Sequence, residues 1–240
     1  MARQPRFHLP GHPQHVIQRG NNRHVLFADA ADCRFYLDTL RDACEQFACH
    51  VHAYVLMTNH VHLLMTPDCK AGIGRVMQSL GRRYVQYFNY RYRRSGTLWE
   101  GRYKAALLDT EPYLLTCYRY IESNPLRAGM VDRPEAYRWS SHRCNALGEP
   151  DVLVTPHPLY LQLAESAEQR CRAYRRLFGD ALEAVAIAAI REATNKAWVL
   201  GDDRFRVEIE DLLMRQAAPK LRGGDRKSAR FRQWRKINRV

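Results

Sequence analysis

No apolar run in this chain approaches the roughly 20 residues that a membrane-spanning helix requires, so a helical span is not expected. None of the seven cysteines (33, 44, 49, 69, 117, 144 and 171) stands in CxxC spacing, and their number is odd. That pattern argues against a zinc ribbon and against a disulfide framework, and leaves reduced, structural thiols. The first residues, MARQPRFHLPGHPQH, are polar and broken by prolines, with no apolar signal-peptide core, so the expected location is cytoplasmic. Acidic side chains are also scarce: 25 Asp and Glu face 38 Lys and Arg, a net charge of +13. Such an excess points to a polyanionic partner, nucleic acid ahead of an anionic membrane.

The positive charge has two concentrations. Between Lys220 and Val240 stand nine Lys or Arg against the single acid Asp225, a tail that would add phosphate affinity with little sequence choice. Between Arg75 and Lys104 the basic residues Arg82, Arg83, Arg91, Arg93, Arg94 and Arg102 alternate with Tyr84, Tyr87, Phe88, Tyr90, Tyr92, Trp99 and Tyr103. Aromatics among arginines suit single-stranded nucleic acid, where bases stack and phosphates need cations. The same stretch also reads as an amphipathic helix over Gly72 to Tyr92, so some of these rings belong to a core.

The element pattern alternates. His15 to Arg19 reads as a short strand ended by Gly20-Asn21-Asn22, and Asp29 to Phe47 as a helix. Strands over His50 to Met57 and His60 to Thr66 flank the turn-prone Thr58-Asn59, which predicts a tight hairpin. After the basic helix, Tyr103 to Leu108 forms a fourth strand, and Thr110-Glu111-Pro112 opens a helix that should stop at Asn124-Pro125. This order predicts an α+β fold, an antiparallel sheet with helices on one face. Beyond Ser141 the composition changes, through linker-like Gly148-Glu149-Pro150 and Thr155-Pro156-His157-Pro158, to an Ala-, Leu-, Glu- and Arg-rich helical region. The expected division is a domain at 1–147, a helical module at 148–218 and a basic tail at 219–240.

Candidate chemistry lies in the strands and in the helix after Pro112. His60 and His62 stand one residue apart in TNHVHLLMTP, so they share a sheet face and make half a metal site. An identical His50-Val51-His52 stands ten residues upstream, and spacing does not choose between the pairs. On the helix, residues four apart share a face: Tyr113 with Cys117, Tyr118 with Glu122, Tyr120 with Asn124. Either of the last two pairs could present a nucleophile and an oxygen ligand to a His pair.

The segments VIQRGNNR, HAYVLMTNHVHLL, SGTLWEGRYKAALLD, YRYIESNPLRAGMV and YRWSSH, over about residues 5 to 145, resemble the single-tyrosine HUH transposases, specifically the REP-associated tyrosine transposases. The resemblance implies a ferredoxin-like HUH endonuclease fold. It implies His60 and His62 as metal ligands, with His50 and His52 structural, Tyr120 as the nucleophile and Asn124 as the third ligand, where relatives often carry Gln or His. It further implies Mg²⁺ or Mn²⁺ as cofactor, a 5′-phosphotyrosine intermediate needing no nucleotide cofactor, and a single-stranded DNA hairpin of the repetitive extragenic palindromic type as substrate. The basic segment, including Arg102 and Lys104, would meet that DNA, as would the turn carrying Arg19 and Asn21. A monomer or a homodimer is compatible with the resemblance. A catalytically silent DNA- or RNA-binding protein derived from a transposase, and a phosphohydrolase that activates water, are the alternative classes.

Overall fold

The computed structural model describes residues 5–219; the basic tail from Lys220 lies outside the described residues. Four strands, β1 (Gln14–Arg19), β2 (Cys49–Met57), β3 (His60–Pro67) and β4 (Lys104–Leu107), form one sheet in the order β2-β3-β1-β4, with every neighbouring pair antiparallel. Thr58 and Asn59 alone link β2 to β3, as a tight hairpin demands.

Alternation along the strands separates two cores. Val16, Val61, Leu63 and Met65 point to one face, where α1 (Ala30–Gln46) and α2 (Gly72–Arg91) bury Tyr36, Leu40, Val76, Leu80 and Tyr84. Leu64, Ala53, Val55 and Ala106 point to the other, covered by α3 (Thr110–Glu122) and the C-terminal helices. Helices therefore cover both faces, not one as the element order suggested. The apolar sequence of β2 and β3, buried nearly throughout, needs cover on both sides, and residues beyond 148 provide much of the second layer.

Local chemistry explains the boundaries. Asp29 caps α1 in a capping box with Asp32, and the Asp32 carboxylate also accepts hydrogen bonds from Tyr87, Tyr92 and Arg91, locking α2 onto α1. Gly20 ends β1 where a Cβ would lie 2.4 Å from the His24 carbonyl oxygen, and Asn22 takes a left-handed φ of 51°. The Gly-Asn-Asn run thus answers a tight 3-10 turn. α3 ends at Glu122, just before Asn124-Pro125 as expected, but Ser123 leads at once into a separate helical turn, α4 (Asn124–Arg127). Pro125 sits in the first turn of α4, where its missing N–H leaves no bond unmade.

The C-terminal helices are α5 (His142–Leu147), α6 (Pro158–Leu161), α7 (Ala167–Arg176), α8 (Ala184–Lys196) and α9 (Asp203–Leu213). Tyr160, Tyr174 and Ile190 share a core with Leu114, Tyr118 and Ile121 of α3. The segment with linker composition lies against β2, the Thr155 amide donating to the Val51 carbonyl. Among the described residues no helix is long and apolar enough to cross a membrane, and all seven cysteines are free.

Leu63, fully buried in the middle of β3, supplies a test of this packing. Leu63→Ala should cost about 2–5 kcal/mol with an unchanged denaturant slope, read as a lowered urea midpoint.

Candidate active site

Register places the site. On the face covered by α3, Arg19 lies opposite His60, Ile17 opposite both His62 and Lys104, and His15 opposite both Leu64 and Ala106. His60 and His62 therefore project from the middle of a sheet with neighbours fixed by hydrogen bonding, their rings 5.0 Å apart. His50 and His52 do not form such a pair. A bulge between Val51 and Ala53 interrupts β2, His50 is exposed beside Asp68, and His52 is buried between the Thr155 carbonyl and the Thr66 hydroxyl.

Helix geometry separates the two tyrosine pairs left open by spacing. Tyr118 is fully buried, stacked on Tyr160, and Glu122 beside it is held in a closed network by Ser141, Asn145, His142 and Tyr174. Tyr120, two residues on, faces the sheet instead, its ring centre 5.7 Å from that of His62 and 5.6 Å from that of His15, each pair edge to face. Both Asn124 amide hydrogens turn back to the Tyr120 and Ile121 carbonyls. That leaves Oδ1 as the outward acceptor, where Arg127 donates one hydrogen bond of 2.8 Å.

His60, His62, Tyr120 and Asn124 together line one open cleft of about 400 Å³ with Arg19, Arg102, Lys104, Arg127 and Glu100. Arg191 and Asn195 of α8 complete it, and Lys104 donates to the Asn195 side chain. Arg127 lies over the Tyr120 ring at 4.4 Å and also bonds the Tyr120 carbonyl. Arg19, Arg102 and Arg191 enter no ion pair among the described residues, so the cleft carries free positive charge against the one carboxylate of Glu100.

The remaining predicted contact residues are dispersed. Asn21 sits in the turn after β1, its amide bound to the Leu98 carbonyl. Arg82, Arg83, Arg91, Arg93 and Arg94 belong to α2 and its end, on the opposite face of the sheet. Arg83 pairs with Asp42, and Arg91 with Asp29 and Asp32, so these two help hold α2 in place. Of the interleaved rings, Tyr84 and Phe88 are core, whereas Tyr90 is 90% exposed.

Burial keeps the imidazoles neutral. It pushes His15 down to about 3; it also lowers His60 to about 4, with Arg19 adding to the effect. His62 lies well below the ordinary value, through burial first and then His15, His60 and nearby arginines. A neutral imidazole keeps a lone pair for a metal. His60 Nδ1 meets Asn59 Oδ1 at 2.7 Å, and the Asn59 amide nitrogen donates to the Arg23 carbonyl. The proton of His60 is therefore on Nδ1 and its Nε2 is free. Among the described residues no group of three His, Cys, Asp or Glu is arranged to hold a metal ion, so a cation here would rest on two imidazoles and the second lone pair of Asn124 Oδ1. That mixed nitrogen and oxygen set fits a small divalent ion that keeps open positions for a substrate.

Reading the sequence missed His15, Arg127, Arg191 and Asn195. His15 carried a usable signal, since it alternates with Ile17 and Arg19 on one strand face. Arg127 did too, seven residues beyond Tyr120 and hence near the same helical meridian. Nothing in the chain before residue 148 announces Arg191 or Asn195.

Residues 10–124 match the family model described as IS200-like transposase. No curated protein matches the sequence. A solved structure described as a REP-associated tyrosine transposase bound to a REP hairpin superposes with a TM-score of 0.54 at 15% identity. It covers 65% of this chain and 93% of that chain, and shows that the fold is shared. A second solved structure, from Deinococcus radiodurans, reaches a TM-score of only 0.36 at 23% identity over 51% of this chain and 97% of that one.

Neutral buried histidines make stability depend on pH in a defined direction. With the ordinary value of 6.5 in the unfolded chain, their contribution is complete above pH 6.5. It is lost as pH falls through about 4 for His60 and about 3 for His15, because only the unfolded chain takes up those protons. The urea midpoint of metal-free protein should fall steadily from pH 6.5 to 4; a flat profile would contradict neutral burial.

Proposed function

Because residues 10–124 match the model of the IS200-like transposases, we propose that this chain is a metal-dependent single-stranded DNA endonuclease and strand transferase acting at repetitive extragenic palindromic hairpins. One observation carries the reading: Tyr120 and the His60–His62 pair line the same cationic cleft. The hairpin substrate is supported by the solved neighbour, described as bound to a REP hairpin, and by the basic composition.

The chemistry follows from these residue types. The Tyr120 phenolic oxygen attacks a backbone phosphorus, the new O–P bond forms as the bond to the 3′ oxygen breaks, and the phenolic proton is balanced by protonation of the departing 3′ hydroxyl. The product is a 5′-phosphotyrosine and a free 3′-OH. Bond energy is kept in the phosphotyrosine, so rejoining uses the reverse attack and needs no nucleotide cofactor. Mg²⁺ or Mn²⁺ held by His60, His62 and Asn124 would supply charge neutralisation at a non-bridging phosphate oxygen. Arg127, stacked over the Tyr120 ring, favours the negative charge the phenol develops.

DNA contacts divide by position. Arg19, Arg102 and Lys104 meet phosphates around the scissile bond, inside the cleft. Asn21 suits the hairpin outside it, as do Arg82 on α2 and Arg93 and Arg94 after it, three arginines that enter no ion pair among the described residues, since the loop after α2 returns to the strand end where Gly20 bridges Trp99. Such contacts serve a monomer or a homodimer equally.

Incubating the protein with end-labelled single-stranded REP hairpin DNA and Mg²⁺ or Mn²⁺ should give a covalent protein–DNA band on a denaturing gel. The band should require metal and vanish in Tyr120→Phe, while Tyr118→Phe retains it. Tight hairpin binding without any adduct would instead identify a catalytically silent DNA-binding protein, and cleavage persisting in Tyr120→Phe would point to water as nucleophile.

Binding should also report its charge. Arg102→Ala should weaken single-stranded DNA binding and reduce the slope of log affinity against log salt by about 0.7, measured by fluorescence anisotropy across a salt series.

A further inference from the structure

His62 does not end at the cleft. It begins a line of three hydrogen-bonding side chains, His62, His15 and Thr194, from three distant parts of the chain. His62 Nδ1 lies 2.9 Å from His15 Nε2, and His15 Nδ1 lies 2.8 Å from the Thr194 hydroxyl on α8. Thr194 in turn donates to the Ile190 carbonyl at 2.8 Å, and all three side chains are buried.

The line has a direction. A threonine hydroxyl has one proton, and a carbonyl can only accept, so that proton lies toward Ile190. The contact with His15 therefore needs its hydrogen from His15 Nδ1. A neutral imidazole has one N–H, which leaves His15 Nε2 as an acceptor. His62 must then donate from Nδ1, so its Nε2 carries the lone pair.

We propose that Thr194 is a positioning residue for the His pair: acting through His15, it dictates which nitrogen of His62 carries the proton and so leaves Nε2 able to bind a metal. The inference rests on the reading of His60 and His62 as metal ligands. It gives α8 a role in the site separate from the cleft lining supplied by Arg191 and Asn195. Replacing Thr194 with valine removes the acceptor. A His15 Nδ1 proton would then be buried without a partner, so the line reverses: His15 donates from Nε2, and His62 holds its proton on Nε2. A protonated Nε2 cannot ligate. Orientation of a ligand histidine by its outer neighbour commonly governs affinity by about 10–100-fold.

Two readouts on the full chain test this. Long-range proton–nitrogen NMR of the imidazoles, without metal, should show His62 protonated on Nδ1 in the parent protein and in Thr194→Ser. In Thr194→Val the pattern should shift to Nε2. Mn²⁺ titration followed by electron paramagnetic resonance should show binding weakened about 10-fold or more in Thr194→Val, and restored in Thr194→Ser. A parent His62 protonated on Nε2, or a Thr194→Val spectrum unchanged from the parent, would overturn the proposal, as would equal Mn²⁺ affinity in all three proteins. A parent with the expected protonation that fails to bind Mn²⁺ would support the hydrogen-bonded line and overturn the metal reading instead. Because the NMR arm is also read on the parent alone, a misfolded valine variant would not shield the proposal.

Discussion

The pairing of β1 against β3 is the constraint on which the rest depends. Side chains in a strand alternate with a period of two, so a slip of one residue would turn His60 and His62 into the α1–α2 core and Val61 and Leu63 into the cleft. The tight Thr58-Asn59 hairpin sets β3 against β2, and the large apolar residues of β3 hold the choice of face. With that register, Arg19, Ile17 and His15 come to stand beside His60, His62 and Leu64, and the cleft acquires a cationic rim, a metal-capable pair and a buried support from one strand pairing.

Electrostatics divides the arginines into two groups with different tasks. Arg83 and Arg91 neutralise Asp42, Asp29 and Asp32 and tie α2 to α1. Arg19, Arg102 and Arg191 face the cleft without carboxylate partners among the described residues, while burial keeps His60 and His62 neutral, with Arg19 adding to the effect at both. A basic net charge alone does not distinguish these groups. What distinguishes them is whether an acidic side chain lies within reach.

The helix after Pro112 shows how a single turn decides chemistry. Tyr118 and Tyr120 are separated by about 200° around the helix axis, since each residue advances about 100°. One ring is consumed by the core shared with Tyr160 and Tyr174, and the other is presented to the sheet. Beyond the end of α3 at Glu122 the chain forms α4, and this extra turn carries Arg127 back over Tyr120 and against Asn124. Glu122, chemically as able a ligand as Asn124, is lost to the site because Ser141, Asn145, His142 and Tyr174 occupy its oxygens.

The strands, the hairpin, α1, α2 and the shared face of His60 and His62 were legible in the chain alone, because each rests on local chemistry: alternation, a capping aspartate, a two-residue turn. Resemblance to HUH transposases then singled out one His pair and one tyrosine where spacing left two of each. The tertiary structure decided what no local pattern encodes. It laid helices on both faces because β2 and β3 are apolar on both sides, and it paired Arg83 and Arg91 with carboxylates. It also brought Thr194, Arg191 and Asn195 to the site from well beyond residue 148, with His15 and Thr194 lying 179 residues apart in the chain. Contacts of that separation depend on which surfaces need covering once the sheet exists, and composition records the need without naming the residues that meet it.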